Sequence, residues 1–212
     1  MGFFGFSKRG KIAVENLKLQ KDIDGLIKVL EKKKRKVGKA AATALIELVK
    51  PSIEKLIYLN ELFAIYRYDE AYVEVMDILI EIGEPAVEPL IYALKDKNKF
   101  FQARVAAVQI LAEIGYKRAR GTLVQILEDE EEDLSVRARI VYEIGRERDS
   151  DLLESLIQIL KSAFTPKELR RGVVQALGEI GDKRAVKFLK LSLNADDELV
   201  RVFAKEALDK IG

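Results

Sequence analysis

LRRGVVQALGEIGDKRAVKFLKLSL, residues 169–193, holds two helical patterns joined at a glycine. Leu169, Val173, Ala176, Leu177 and Ile180 recur at intervals of three and four, the spacing of one helix face. Gly181 breaks the pattern, and Val186 and Leu189 resume it. A glycine suits the left-handed residue that commonly closes a helix. The stretch predicts a helix, a short polar turn and a second helix.

Both halves recur. ARVAAVQILAEIG (103–115), VRARIVYEIGRER (136–148), LRRGVVQALGEIG (169–181) and VRVFAKEALDKIG (200–212) align without gaps. The partner segments are VKPSIEKLIYL from Val49, GEPAVEPLIYAL from Gly83, GYKRARGTLVQIL from Gly115, RDSDLLESLIQIL from Arg148 and GDKRAVKFLKLSL from Gly181. Their anchoring leucines are Leu56, Leu90, Leu123, Leu156 and Leu189, at spacings of 34, 33, 33 and 33, with Leu26 in a partial earlier copy. Self-similarity at this period marks stacked helix pairs, each too small to bury its apolar face alone. Gly83, Gly115 and Gly181 are expected to end first helices in the left-handed region. Pro51 and Pro85 fall early in second helices, where a missing N–H costs nothing. Thr165, Pro166 and Glu168 read as a capping box. No strand-like alternation interrupts the pattern.

These segments resemble the HEAT-like repeat family, in particular the short prokaryotic type first noted in phycobilin lyases. The resemblance runs over about residues 22–212. It implies an all-α fold, a right-handed α-α superhelix of about 12–13 helices forming one solenoid domain over 22–212, with second helices on the concave side. Residues 1–21 then form a basic and aromatic segment and cap, carrying Phe3, Phe4, Phe6, Lys8 and Arg9. The family serves mainly as scaffold. Its iron-dependent hydroxylase relatives bind metal through His-Glu motifs, and this chain has no histidine, so that activity is not implied.

The composition narrows the chemistry. There is no cysteine, histidine or tryptophan. That removes disulfides, thiolate sites, the commonest general base and the strongest stacking platform. No apolar run approaches the roughly 18–20 residues of a membrane span, and the N-terminus lacks the order of a secretory signal. A cytoplasmic protein without cofactor or metal is expected, and the Ile, Glu and Lys richness fits a thermophile pattern. Net charge is +2, but residues 1–60 balance to +8 and residues 61–212 to −6.

Three groups of residues are candidates for function. The first is the basic run Lys32, Lys33, Lys34, Arg35 and Lys36 with Lys39, in a position where other repeats have polar turns. It is open to three readings: a solvated loop, a patch for nucleic acid or another anionic partner, or a nuclear-import signal. The second is a break in the pattern. Arg120 stands in a column otherwise filled by Ile23, Ile53, Val87, Leu153 and Val186, while Glu143 and Glu147 replace apolar residues in the next unit. They suggest a buried ion-pair cluster, an acid/base pair with shifted pKa values, or a metal site. The third is a face. Tyr58, Tyr92, Gln125 and Gln158 follow their anchoring leucines by two, and Glu54 and Glu88 lie four before the tyrosines, on the same helical face. Tyrosine is enriched at interface hot spots, and glutamates beside it favour a basic peptide or helix.

The sequence therefore reads as a non-enzymatic protein-interaction scaffold that takes a partner peptide or helix in its concave groove. The rival is a nucleic-acid-binding solenoid using the basic N-terminal third. An enzyme built on Arg120, Glu143 and Glu147 stands third.

Overall fold

The structure, a computed structural model, describes the backbone of residues 3–31, 35–50, 52–66 and 69–212, and the side chains of 10–30, 37–50, 52–65 and 69–212. Among the described residues there are thirteen α-helices and no strand. The chain divides into two compact units, Met1–Gly115 and Tyr116–Gly212.

The first unit holds α1 (Phe3–Leu19), α2 (Ile23–Glu31), α3 (Arg35–Val49), α4 (Ile53–Tyr66), α5 (Asp69–Ile82), α6 (Val87–Lys95) and α7 (Phe101–Ile114). Here α1 packs on α2 and α3, α4 on α5 and α7, and α6 on α7. The second unit holds α8 (Tyr116–Glu128), α9 (Leu134–Arg146), α10 (Leu153–Lys161), α11 (Lys167–Ile180), α12 (Val186–Ser192) and α13 (Glu198–Ile211). In it α9, α11 and α13 pack side by side, while α10 packs on α11 and α12 on α13.

The anchoring leucines explain the spacing. Leu26, Leu56, Leu90, Leu123, Leu156 and Leu189 are all fully buried, each at 0–1% exposure. Removing such a side chain from water stabilises by about 2 kcal/mol, so one leucine per repeat holds each second helix to its neighbours.

A second column ties the helices end to end. Arg104, Arg137, Arg170 and Arg201 occupy one position of successive first helices. Arg104 Nε donates to the Leu94 carbonyl at 2.8 Å and Arg137 Nε to the Leu127 carbonyl at 2.9 Å. Arg170 donates to the carbonyls of Leu160 at 3.2 Å and Ser162 at 3.0 Å. Arg201 donates to Ala195 at 2.7 Å and Asp196 at 2.9 Å. The last carbonyls of a helix have no intrahelical donor, and they carry the negative end of its dipole. A guanidinium answers both needs. Burial pushes the Arg137 pKa down, opposed by the charges of Glu130, Asp129 and Glu132.

The turns depart from the sequence reading at three places. Gly83 and Gly181 take left-handed φ of 70° and 74°, as expected, but Gly115 has φ −160°, an extended value open to any residue. What Gly115 needs is space, because a Cβ there would lie 2.7 Å from Val87 Cγ2. The equivalent residue between α9 and α10 is Arg148, which adopts φ 51° with a full side chain. The capping box does not form: Pro166 precedes α11 without a side-chain cap, and the Thr165 hydroxyl donates to the Ile159 carbonyl at 2.6 Å. Its hydroxyl lies nearer the unsatisfied end of α10 than the start of α11. Aspartates cap instead. Asp149 and Asp182 accept from N–H groups two residues on and open the short 3-10 turns at Ser150–Leu152 and Lys183–Ala185. Asp197 caps α13 through the Val200 N–H and takes two bonds from Arg171, at 2.8 and 2.5 Å. The Arg171 guanidinium holds the Asp197 carboxyl well below the usual carboxylate range. Pro85 sits in the first turn after Gly83, while Pro51 lies outside the described residues.

First helices of the second unit approach unusually closely. A Cβ on Gly178 would sit 2.7 Å from the Cβ and 2.8 Å from the Cα of Ala207, whereas Gly121 on α8 faces open space. Gly178→Ala should cost about 1–3 kcal/mol by overpacking, and Gly121→Ala should stabilise by about 0.5–1 kcal/mol through helix propensity. Urea denaturation of the two variants reads the opposite signs. Arg137→Met should cost about 1–3 kcal/mol in the same assay, because it strands the Leu127 carbonyl in the interior.

Candidate functional site

The exposed second-helix face is built in the first unit. On α4 Leu56, Leu59 and Phe63 are buried, as are Ile57, Asn60, Glu61 and Leu62, and Tyr58 stays half-exposed one turn before Glu61 and Leu62. On α6 the helical period buries Val87, Leu90 and Leu94 and leaves Tyr92 outward. Tyr58 is 46% exposed and Tyr92 76%, so neither ring contributes much to the core. Glu54 and Glu88 are exposed one turn before their tyrosines, and Glu54 accepts a hydrogen bond from the Ser52 hydroxyl at 3.2 Å. Helices α4 and α6 pack together, so the two Glu/Tyr pairs belong to one unit. Gln125 and Gln158 are exposed on α8 and α10 of the second unit. The Gln158 amide is engaged within its own helix, donating to Glu154 at 2.8 Å and accepting from Lys161 at 3.2 Å.

The expected Arg120–Glu143–Glu147 cluster is not how the charges pair. Arg120 binds the turn after α9, with Nη2 2.9 Å from Asp149 and Nη1 2.7 Å from Asp151. Asp149 is buried, and the same carboxylate caps the turn. Glu143 is buried within α9, where Arg139 lies at 3.2 Å and Arg146 at 3.0 Å, and the exposed Glu147 meets Arg146 at 3.1 Å. The reason is the direction of the side chains: Arg120 points at the end of α9 and the turn beyond, while Glu143 is met by arginines three and four residues away on its own helix. Tyr116, also buried, lies beside this group. Burial pushes its pKa up, and the Asp149 charge pushes it further. Asp149 and Asp151 were the members that the repeat pattern could not reveal, because a polar residue in a turn breaks no apolar column. The cluster joins α8 to the turn between α9 and α10. Among the described residues no group of three or more His, Cys, Asp and Glu is arranged to hold a metal.

Of the basic run, Lys32, Lys33 and Lys34 lie outside the described residues, and Arg35 and Lys36 open α3 with side chains outside them too. Lys39 is exposed and pairs with Glu70 at 2.6 Å. The side chains of Phe3, Phe4, Phe6, Lys8 and Arg9 lie outside the described residues. No described helix is long and apolar enough to cross a membrane.

Helix pairs repeating about every 33 residues, with buried leucine anchors, define an all-α repeat protein. The chain belongs to the HEAT-repeat family: the family's model matches residues 87–166 and 122–209. No curated protein sequence matches it. Among solved structures it is similar to the complex of CpcE and CpcF of phycocyanin lyase from Nostoc sp. PCC7120, at 22% identity and TM-score 0.58 over 74% of this chain and 98% of that one. It is similar to human deoxyhypusine hydroxylase at 18% identity and TM-score 0.54 over 97% of this chain and 78% of that one. An engineered protein matches at 21% identity and TM-score 0.50 over 90% of this chain and 98% of that one. At these identities the likeness speaks for the fold.

The Arg120 cluster gives a direct test. Arg120→Leu restores the apolar residue of the repeat but leaves Asp149 buried with its countercharge gone, and should cost about 2–4 kcal/mol in urea denaturation. Adding Asp149→Asn, which retains a capping oxygen, should recover at least half of that loss.

Proposed function

We propose that the protein is a non-enzymatic interaction scaffold that binds a basic peptide or helix on the α4–α6 face of its first unit. The observation that carries the reading is Tyr92, 76% exposed one repeat beyond the half-exposed Tyr58, each with a glutamate one turn before it on the same face. A large aromatic held on a rigid helix offers contact area at little entropy cost. The glutamates add a field that favours a cationic partner. Membership of the HEAT-repeat family supports the reading at its coarser level, since this repeat fold commonly serves protein interaction. Gln125 and Gln158 offer polar contacts to the same class of partner on the second unit.

The test is a binding titration with fluorescently labelled, lysine- and arginine-rich amphipathic peptides, followed by anisotropy, together with affinity capture from the native organism. Tyr58→Ala/Tyr92→Ala should weaken binding at least tenfold, the effect of losing about 1–2 kcal/mol at a hot spot, with a melting temperature close to that of the parent. A double variant that unfolds readily would make these tyrosines packing residues. One that stays folded and binds at full strength would move the interface elsewhere.

A further inference from the structure

The second unit contains a feature that the scaffold reading does not use. Between α9 and α11 lies a cavity of about 430 Å³, within the usual size of small-molecule sites. Its floor is made of small residues: Ala138 and Gly145 from α9, Gly172 and Ala176 from α11. Their size is what opens it. The helices touch where Gly145 meets Ala176, since a Cβ on Gly145 would fall 2.9 Å from the Ala176 Cα. At Gly172 there is room, the nearest atom to an added Cβ being Val141 Cγ1 at 3.6 Å. Tyr142 forms a wall, its ring 60% exposed and capped by the Arg139 guanidinium at 5.4 Å.

The charges at the rim are engaged to different degrees. Arg146 is committed to Glu143 and Glu147. Glu179 is committed to Lys210, and the hydrogen bond from Lys210 leads the causes that hold its carboxyl below the ordinary range. Arg148 is exposed, and its charge acts on Glu179, where it helps to hold the carboxyl down. It also stands where Gly83 and Gly181 stand in other repeats, and it takes φ 51° to do so. A long side chain in the left-handed region is disfavoured where glycine would be at ease. An arginine at a glycine position, at the mouth of a cavity, whose charge meets only the Glu179 carboxylate already bonded to Lys210, points from the strained backbone to a use for its charge.

We propose that this cavity is a binding site for a small organic anion with a flat aromatic body. The ring lies on the small-residue floor against Tyr142, and the anionic group meets Arg148. An aromatic edge or face against Tyr142 gains dispersion and quadrupole terms, and a guanidinium binds a carboxylate or sulfonate through paired N–H donors. The site is independent of Tyr58 and Tyr92, which belong to the first unit.

The probe is 8-anilinonaphthalene-1-sulfonate, titrated by fluorescence against the full chain at low and at 0.5 M salt, with thermal melts run in parallel. Saturable binding to one site per chain is expected. Arg148→Gly should weaken it at least tenfold and leave the melting temperature equal or higher, because it restores the residue that the backbone prefers. Gly172→Leu, placed into the open floor, should abolish the bound signal while the melt stays cooperative. Tyr92→Ala should leave it unchanged. Three results would overturn the proposal: binding by Arg148→Gly at parental strength, a lower melting temperature for Arg148→Gly that makes the residue structural, or equal competition by acetate and by an acidic peptide, which would reduce the site to diffuse electrostatics. Each reads separately from the peptide titration on the first unit.

Discussion

Helix ends are the weak points of an all-helical repeat, and in this protein an arginine answers them at the ends of α6, α8 and α10. Every second helix finishes with carbonyls that have no partner within the helix. Leu94, Leu127 and Leu160 stand next to last in α6, α8 and α10, and Arg104, Arg137 and Arg170 of the following first helices reach back to them. Arg201 instead holds the turn between α12 and α13, through the carbonyls of Ala195 and Asp196. Each bond to a leucine carbonyl ties the start of a first helix to the end of the second helix before it. The buried leucines supply the larger share of the free energy. They are non-directional, however, and the arginines supply the direction.

The places where the repeat breaks show how such a frame accommodates exceptions. Arg120 replaces an aliphatic residue without being left as a lone charge, because Asp149, needed in any case to cap a turn, can serve both roles. Glu143 is buried where an alanine would fit, and its own helix provides Arg139 and Arg146. For Glu143 the countercharge comes from its own helix, and for Arg120 from the turn beyond α9. Arg148 has only the field of Glu179, a carboxylate that is bonded to Lys210. Its backbone is held in a glycine conformation by the turn on either side, and its charge is left at the edge of the α9–α11 cavity.

The two units carry different chemistry. The outward side of α4 and α6 presents tyrosine beside glutamate, suited to a cationic surface or helix. Between α9 and α11 lies a recess lined by small residues, Tyr142 and Arg148, where we propose an anion site. Repeat architectures permit this division because each pair of helices is stabilised by its immediate neighbours, which leaves exposed columns free to vary independently.

Periodicity alone determined the helix-pair repeat, its 33-residue step, the leucine column and the outward placement of Tyr58 and Tyr92, because burial on a helix follows a spacing that can be counted along the chain. The arginine column was equally visible as a letter, but its purpose was not, since a carbonyl at a helix end has no signature in sequence. Tertiary structure decided the rest. Gly115 proved to need space against Val87 where a left-handed turn was expected, and Thr165 turned back to α10 in place of capping α11. Arg120 chose Asp149 and Asp151 over Glu143 and Glu147. Those outcomes depend on where a side chain points once two helices cross, and on distances of an ångström between groups some thirty residues apart. A repeat pattern carries the register of its helices, but not the direction of a guanidinium or the room left beside a glycine.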